Sequence, residues 1–414
     1  MTLDPVHFDG IAQLAGRISQ RVDSTDHDDF AETVFEEFLD PLWDDGRRAI
    51  EPLGELRRRR IDTEAAALQD APFSTQHGLD SGTINPTTFT NGLVLDVAQA
   101  AMAAVPSDLE LHRSRTVVAT VHSNDATVDC EEDDWTMFDG GYSKGRVLQA
   151  PRVSRYEEAV VHALSLYLAE VNHAETQAEV VEDLLVLDGP IYPKGLLAWT
   201  DRHPELADLL VEDKRPRDVV DGYIGLVERF ADRGVPLVGF VKNGSSKAIT
   251  RILRRNERAP WADDAALFKR ILHRSDDDGE TLTDQLTFTD WFVSWCGVDE
   301  PLSAGGDALG LDRDRDPEDY EVTFFYVYDP RDELLFRVES PAVFTRDPET
   351  REALTMQLLR DIAHERGPPL SVSKADELAR ISRDEKAALT RAIEQRFDAD
   401  RDRSYDDERW GLVA

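Results

Sequence analysis

The chain has 414 residues and a formal net charge of −36, from 83 acidic against 47 basic residues. With 41% hydrophobic residues it can bury a substantial core, which excludes a disordered or fibrous chain. Its length predicts one large α/β domain with insertions, or two closely associated domains.

The acid is dispersed through runs such as "DSTDHDDF", "EEDDW" and "SDDDGE" instead of filling one tail. That pattern is expected of a cytoplasmic protein of a salt-accumulating organism, where surface carboxylates keep a protein soluble at high ionic strength. Counterion release weakens at molar salt, so the negative charge does not exclude DNA as a partner. Cys130 and Cys296 stand apart, with no C-x-x-C or Cys/His cluster, which argues against a zinc site or a disulfide framework; both read as buried thiols. The start, "MTLDPVHFDGIAQLAG", lacks the basic and apolar regions of a signal peptide, and no run approaches membrane-spanning length. A cytoplasmic location with no membrane partner is the expectation.

In chain order, Ile11, Leu14, Ile18 and Val22, then Phe30, Val34, Phe35 and Phe38, recur at helical spacing and predict a helical N-terminal segment over residues 1–70. "ELRRRRID" within it reads as a solvated helix face. "HGLDSGTINP" gathers Gly, Asp, Ser and Asn at a strand end or tight turn. "SRTVVATVHS" is a strand by its β-branched density, with another around "WTMFDGGY". The amphipathic helix "SRYEEAVVHALSLYLAEV" follows, then the strand of "DLLVLDGPIYP", helices through "DVVDGYIGLVERFADRG", and the strand "VPLVGFVKN" ending at Lys242. This alternation predicts an α/β layered domain over about 71–385, with sites at the carboxyl ends of its strands. Residues 275–345 read as a β-rich insertion, and 386–414 as a last helix with a polar tail. Asp312, Asp314 and Asp316 imitate an EF-hand start, but Pro317 stands where Gly is needed, so they read as a solvated charge run.

Asp80 and Asp188 each sit at a strand-like end, followed by Ser81-Gly82 and Gly189-Pro190. Small neighbours expose a carboxylate to a metal or substrate, and two such carboxylates with one from a helix make an oxygen cage for a hard divalent cation. The structural alternative is that Asp before a small residue only makes a turn. Ser245, Ser246 and Lys247 lack the Gly-Lys-Ser/Thr order of a phosphate loop.

"GLDSG", "SRYEEAVVHAL", "LLVLDGPIYP" and "LVGFVKNGSS", in this order and with weaker support from "LFRVESP" and "PPLSVSKADELARI", resemble the motifs of the NurA nuclease family. The resemblance runs from about Gly78 to Ile381 and implies an RNase H-like mixed sheet flanked by helices. It implies a Mn²⁺-dependent (or Mg²⁺-dependent) deoxyribonuclease, acting as a single-strand endonuclease and 5′-to-3′ exonuclease. It also implies a homodimer that works with a hexameric HerA-type ATPase on single-stranded DNA and duplex ends in DNA end resection and repair. By position, Asp80 and Asp188 become metal ligands, Glu158 the helix carboxylate between them with Glu157 as its rival, and Lys242 a phosphate contact whose alternative is a strand-end lysine in solvent.

Two departures stand out. Asp80-Ser81-Gly82 replaces the family's usual Asp-Gly-Ser, and Asp376 stands where the family has a histidine on its last helix. Asp376 either ligates the cation directly or is a helix N-terminal charge; His364 is the lesser substitute because it precedes the Gly-Pro-Pro break. The altered position motivates a rival expectation, a catalytically inactive RNase H-like subunit that binds DNA or docks the ATPase.

Overall fold

The structure is a computed structural model and describes residues 4–19, 24–132, 134–242, 244–276, 278–306 and 309–403. Val22 and the tail from 404 onward lie outside the described residues. Six strands build the central part of the sheet. β1 (Gln76–Thr83) pairs antiparallel with β2 (Leu93–Val105), and β2 antiparallel with β3 (Arg115–Ser123). After β4 (Ser143–Gln149), parallel to β3 at the outer edge, comes helix α1 (Glu157–Gln177). The chain then returns to the other side of β1 as the parallel strand β5 (Leu185–Asp188), crosses through helix α2 (Lys214–Arg233), and adds the parallel strand β6 (Leu237–Val241). The order β6–β5–β1–β2–β3, with only β2 reversed, is the RNase H-like arrangement expected from the motifs.

Period two in the strands divides the side chains between two cores. Leu79, Leu185, Leu187 and Leu237 face α1 and α2, where Val160, Leu164, Leu226 and Phe230 are buried. Val186, Val238 and Phe240 face the opposite layer, formed by Leu354 and Leu358 of one C-terminal helix and Val372 of the next. Helix α2 is bounded as its sequence dictates: Asp213 caps its first turn by accepting from Arg215 N, and Gly234 ends it at φ +65°.

The sheet does not stop at β6. β7 (Val322–Asp329) and β8 (Leu334–Pro341) form a hairpin whose second strand pairs antiparallel with β6. Phe292–Ser294, Arg47–Pro52 and Leu42–Asp44 continue it, and Gln285–Thr289 joins β7 to Arg58–Asp62. The N-terminal segment is therefore not helical throughout. Its first helices end at Phe38, from Leu42 to Asp62 the chain supplies three strands to the sheet, and a short helix, Thr63–Ala67, follows.

The arginine run lies on one of these strands, and its side chains are engaged. Arg59 makes a two-pronged contact with Glu352 at 2.7 and 2.8 Å, and Arg58 pairs with Glu32. Backbone pairing to Gln285–Thr289 overrides the helical reading of this stretch. Two helices, α3 (Pro348–Glu365) and α4 (Leu370–Ala379), close the second face. No described helix is long and apolar enough to cross a membrane. Both cysteines are free and partly buried, more open than expected.

A buried ion network fastens the loop after β5 to this extension. Lys194 Nζ lies 2.8 Å from Asp299 and 2.6 Å from Glu339, and Arg337 Nε lies 2.7 Å from Glu339. Burial alone would raise the Asp299 pKa, but Lys194 and Arg337 outweigh it and hold it below its ordinary value. Two cations meet two carboxylates, so neither sign is left over. Glu339→Ala would leave Lys194 and Arg337 sharing one acid, and is expected to lower unfolding free energy by about 3–5 kcal/mol in a denaturant titration. Arg113→Ala, which breaks an exposed pair with Asp139, should leave the same titration nearly unchanged.

Candidate active site at the carboxyl ends of parallel strands

The stretch "GLDSG" is β1 itself, and its alternation builds the site. Gly78, Asp80 and Gly82 turn to one face, Leu79 and Ser81 to the other. A Cβ on Gly78 would meet the Ser371 backbone at 2.3 Å, and one on Gly82 would meet the Ala379 carbonyl oxygen at 2.3 Å. Helix α4 thus lies directly on the β1 backbone. Four strand residues and eight helix residues each span roughly 12–13 Å, so the two contacts stay in step and bring Asp376 over Asp80.

On β5, Leu187 is level with Leu79, which puts Asp188, the last residue of β5, beside Asp80; Asp80 itself lies inside β1, which runs on to Thr83, and not at the strand end expected. Gly189 follows at φ +123° and turns the chain away, leaving the carboxylate at the sheet's end. From β6, Lys242 Nζ reaches Asp188 Oδ2 at 2.6 Å. Lys242, expected either at a phosphate or in solvent, lies within the cluster.

The helix carboxylate that reaches this place is Glu170 of α1. Its Oε1 accepts from Ser81 Oγ at 2.5 Å and its Oε2 from Tyr223 Oη at 2.8 Å. Glu158 is not part of the cluster. It lies twelve residues earlier, about 18 Å along the helix axis, where its Oε1 accepts from Thr88 Oγ1 at 3.4 Å. Glu157, next to it in the first turn, is equally distant. The mark of Glu170 in the sequence is a carboxylate among the apolar residues of a buried helix, between Ala169 and Val171.

The electrostatics are those of too many acids in one place. Burial and the charge of Asp188 push the Asp80 carboxyl up to about 8, with Glu170 and Asp376 adding to the shift. Burial raises Asp188 as well, although Lys242 and a hydrogen bond from Asp80 pull it back. Glu170 is raised chiefly by burial. Asp376 is the most open member, 42% exposed, and Arg380 lies 3.2 Å away, one turn on.

Among the described residues, no three His, Cys, Asp or Glu side chains already converge as a metal cluster. The donor set nonetheless fits a hard divalent cation: oxygen ligands only, with an excess of negative charge that Lys242 offsets in part. His364 lies elsewhere, paired with Glu365 on α3.

A carboxyl that holds its proton in the folded state and not in the unfolded one loses stability as pH rises between the two pKa values. Without divalent cation, the melting temperature should therefore fall between about pH 4 and pH 8 because of Asp80, and Asp80→Asn should raise it by a few degrees at pH 8. Because a cation takes the place of the proton, added Mn²⁺ should stabilise the parent at pH 8 and leave Asp80→Asn nearly unchanged.

Compared with known proteins, residues 74–381, well over half of the chain, match the NurA domain family. No curated protein matches the chain. Among solved structures, the NurA nuclease from Sulfolobus solfataricus aligns over 95% of this chain and 97% of that one, at 10% identity and a TM-score of 0.48. A NurA bound to dAMP and manganese aligns over 79% and 89%, at 10% identity and a TM-score of 0.40. Endonuclease V from Ciona intestinalis aligns over 79% and 95%, at 8% identity and a TM-score of 0.24. On the match across residues 74–381, this chain belongs to the NurA family.

Proposed function

We propose that the protein is a metal-dependent deoxyribonuclease that hydrolyses phosphodiester bonds with Mn²⁺ or Mg²⁺. The observation that carries this reading is the pair Asp80 and Asp188, level with each other on neighbouring parallel strands, with the Asp80 carboxyl pushed up to about 8 by burial and crowded acids. Family membership supports the same reading. Asp80, Asp188 and Glu170 would hold the cation, with Asp376 as a fourth donor in place of a histidine. When bound, the cation would stabilise the attacking and leaving oxygens of the displacement. Asp80 gives up its proton as the site fills. Lys242, beside Asp188, places a positive charge where a phosphate oxygen gains negative charge. Asp376 and Lys242 are the members of this set most open to a DNA strand.

The finer reading follows the family: single-strand endonuclease and 5′-to-3′ exonuclease action on DNA ends in the cytoplasm, as a homodimer, with a hexameric HerA-type ATPase in end resection and repair. A second reading, an inactive DNA-binding or ATPase-docking subunit, is favoured by one observation, the Arg380 contact on Asp376.

Cleavage of end-labelled single-stranded DNA in molar KCl with Mn²⁺ separates the two. The parent should cut, and Asp188→Ala, Glu170→Gln and Asp376→Ala should each lose about a hundredfold or more. Glu158→Gln should stay close to the parent. A parent that binds DNA and cuts none would establish the second reading.

A further inference from the structure

Helix α1 carries a second group of polar side chains that the site above does not use. Asp96 of β2 is fully buried, with 0% of its side chain exposed, and three donors hold it: Val97 N at 2.9 Å, His162 Nδ1 at 2.8 Å and Ser165 Oγ at 2.9 Å. A carboxylate only accepts, so His162 Nδ1 carries a proton, and this fixes both the ring's orientation and which nitrogen faces away. The His162 side chain is 42% exposed, which leaves Nε2 toward solvent. A buried acid that aims a histidine outward has no evident packing purpose, because burying a carboxylate is costly unless it is fully bonded.

The place of His162 matters as much as its support. Thr83, the last residue of β1, is level with Ala98, so Asp96 lies just past the end of β1, at the end of the sheet where Asp80 and Asp188 emerge. His162 and Glu170 are eight residues apart on one helix, about 12 Å along its axis. The two are close enough for His162 to lower the Glu170 pKa. About 12 Å is too far for the cleaved bond and right for a phosphate further along the strand. The other acid nearby, Glu158, is engaged by the Thr88 hydroxyl.

We infer that His162, positioned by Asp96, binds a backbone phosphate of the DNA strand beyond the cleaved bond. With both nitrogens protonated, the ring is balanced by Asp96 on the inside and presents Nε2–H to the phosphate on the outside. Asp96 acts through His162 and is a positioning residue. The inference rests on the nuclease reading and adds a subsite to it.

The test is fluorescence anisotropy of a labelled oligothymidylate in EDTA, over a series of KCl concentrations at which the protein stays folded. No divalent cation is present, so binding is read apart from cleavage. His162→Gln should weaken binding about five- to tenfold and make the slope of log K against log salt shallower by about 0.7, the loss of one phosphate contact on a single strand. His162→Lys should restore the slope, and Asp96→Asn should weaken binding without adding to His162→Gln in the double variant. Parent-like binding and slope in His162→Gln would overturn the inference while leaving the nuclease reading intact. Equal loss in His162→Gln and His162→Lys would also overturn it, by making the role one of packing. A parent that binds no oligothymidylate in EDTA would overturn the inference, and the nuclease reading would still be decided by cleavage with Mn²⁺.

Discussion

The distance between α4 and β1 is set by two backbone contacts, and the site depends on that distance. At Gly78 and Gly82 a helix rests on a strand with no side chain between them. Any Cβ there would lift the helix, and with it Asp376, away from Asp80. Because the contacts fall at both ends of the same short stretch, they fix the angle of the helix as well as its height. The acids are thus held together against their own repulsion by packing some residues away, which is how burial and crowding come to shift the Asp80 carboxyl so far.

The second fixed point is the buried network of Lys194, Arg337, Asp299 and Glu339. It ties the turn after Asp188 to β8, and β8 is paired to β6, the strand that delivers Lys242. The strands beyond β6 are therefore part of what positions Asp188. Aromatic packing supports them: the Arg337 guanidinium lies 4.0 Å from the Phe324 ring centroid, and Phe268 stacks on Tyr326 at 4.1 Å. The acidic end of the sheet and its extension share one mechanical frame.

Much of this was legible in the sequence, for physical reasons that can be named. Asp80 and Asp188 could be found because each is an acid in a strand-like segment followed by small residues that leave it uncovered, although the same order also makes turns and Asp80 proved to lie inside its strand. The strands of the core could be found because β-branched runs with period two must lie between two layers. Glu170 could not be found in this way: helical periodicity tells which face of α1 is buried, but not which of its turns meets β1. Glu158 was the reasonable choice by motif and lies about three turns away. The strands between Leu42 and Asp62 were hidden because their side chains are charged, and their pairing to Gln285–Thr289 and Phe292–Ser294 is set by residues far along the chain. The His162–Asp96 pair was hidden for the same reason, since only the fold brings the two together.

That long-range pairing also orders events in time. Arg57 and Asp290, which meet across it, are separated by 233 positions. At a synthesis rate of about 5–20 residues per second, the early strands wait roughly 10–50 s for their partners. During that interval Arg58–Asp62 is a strand without a neighbour, the condition in which chains stick to one another. Its consecutive arginines make it a poor template for other edges until Glu352 and the right strand arrive. On the ribosome, then, the run that carries positive charge into an acidic protein keeps the first-made part of the sheet available for the last.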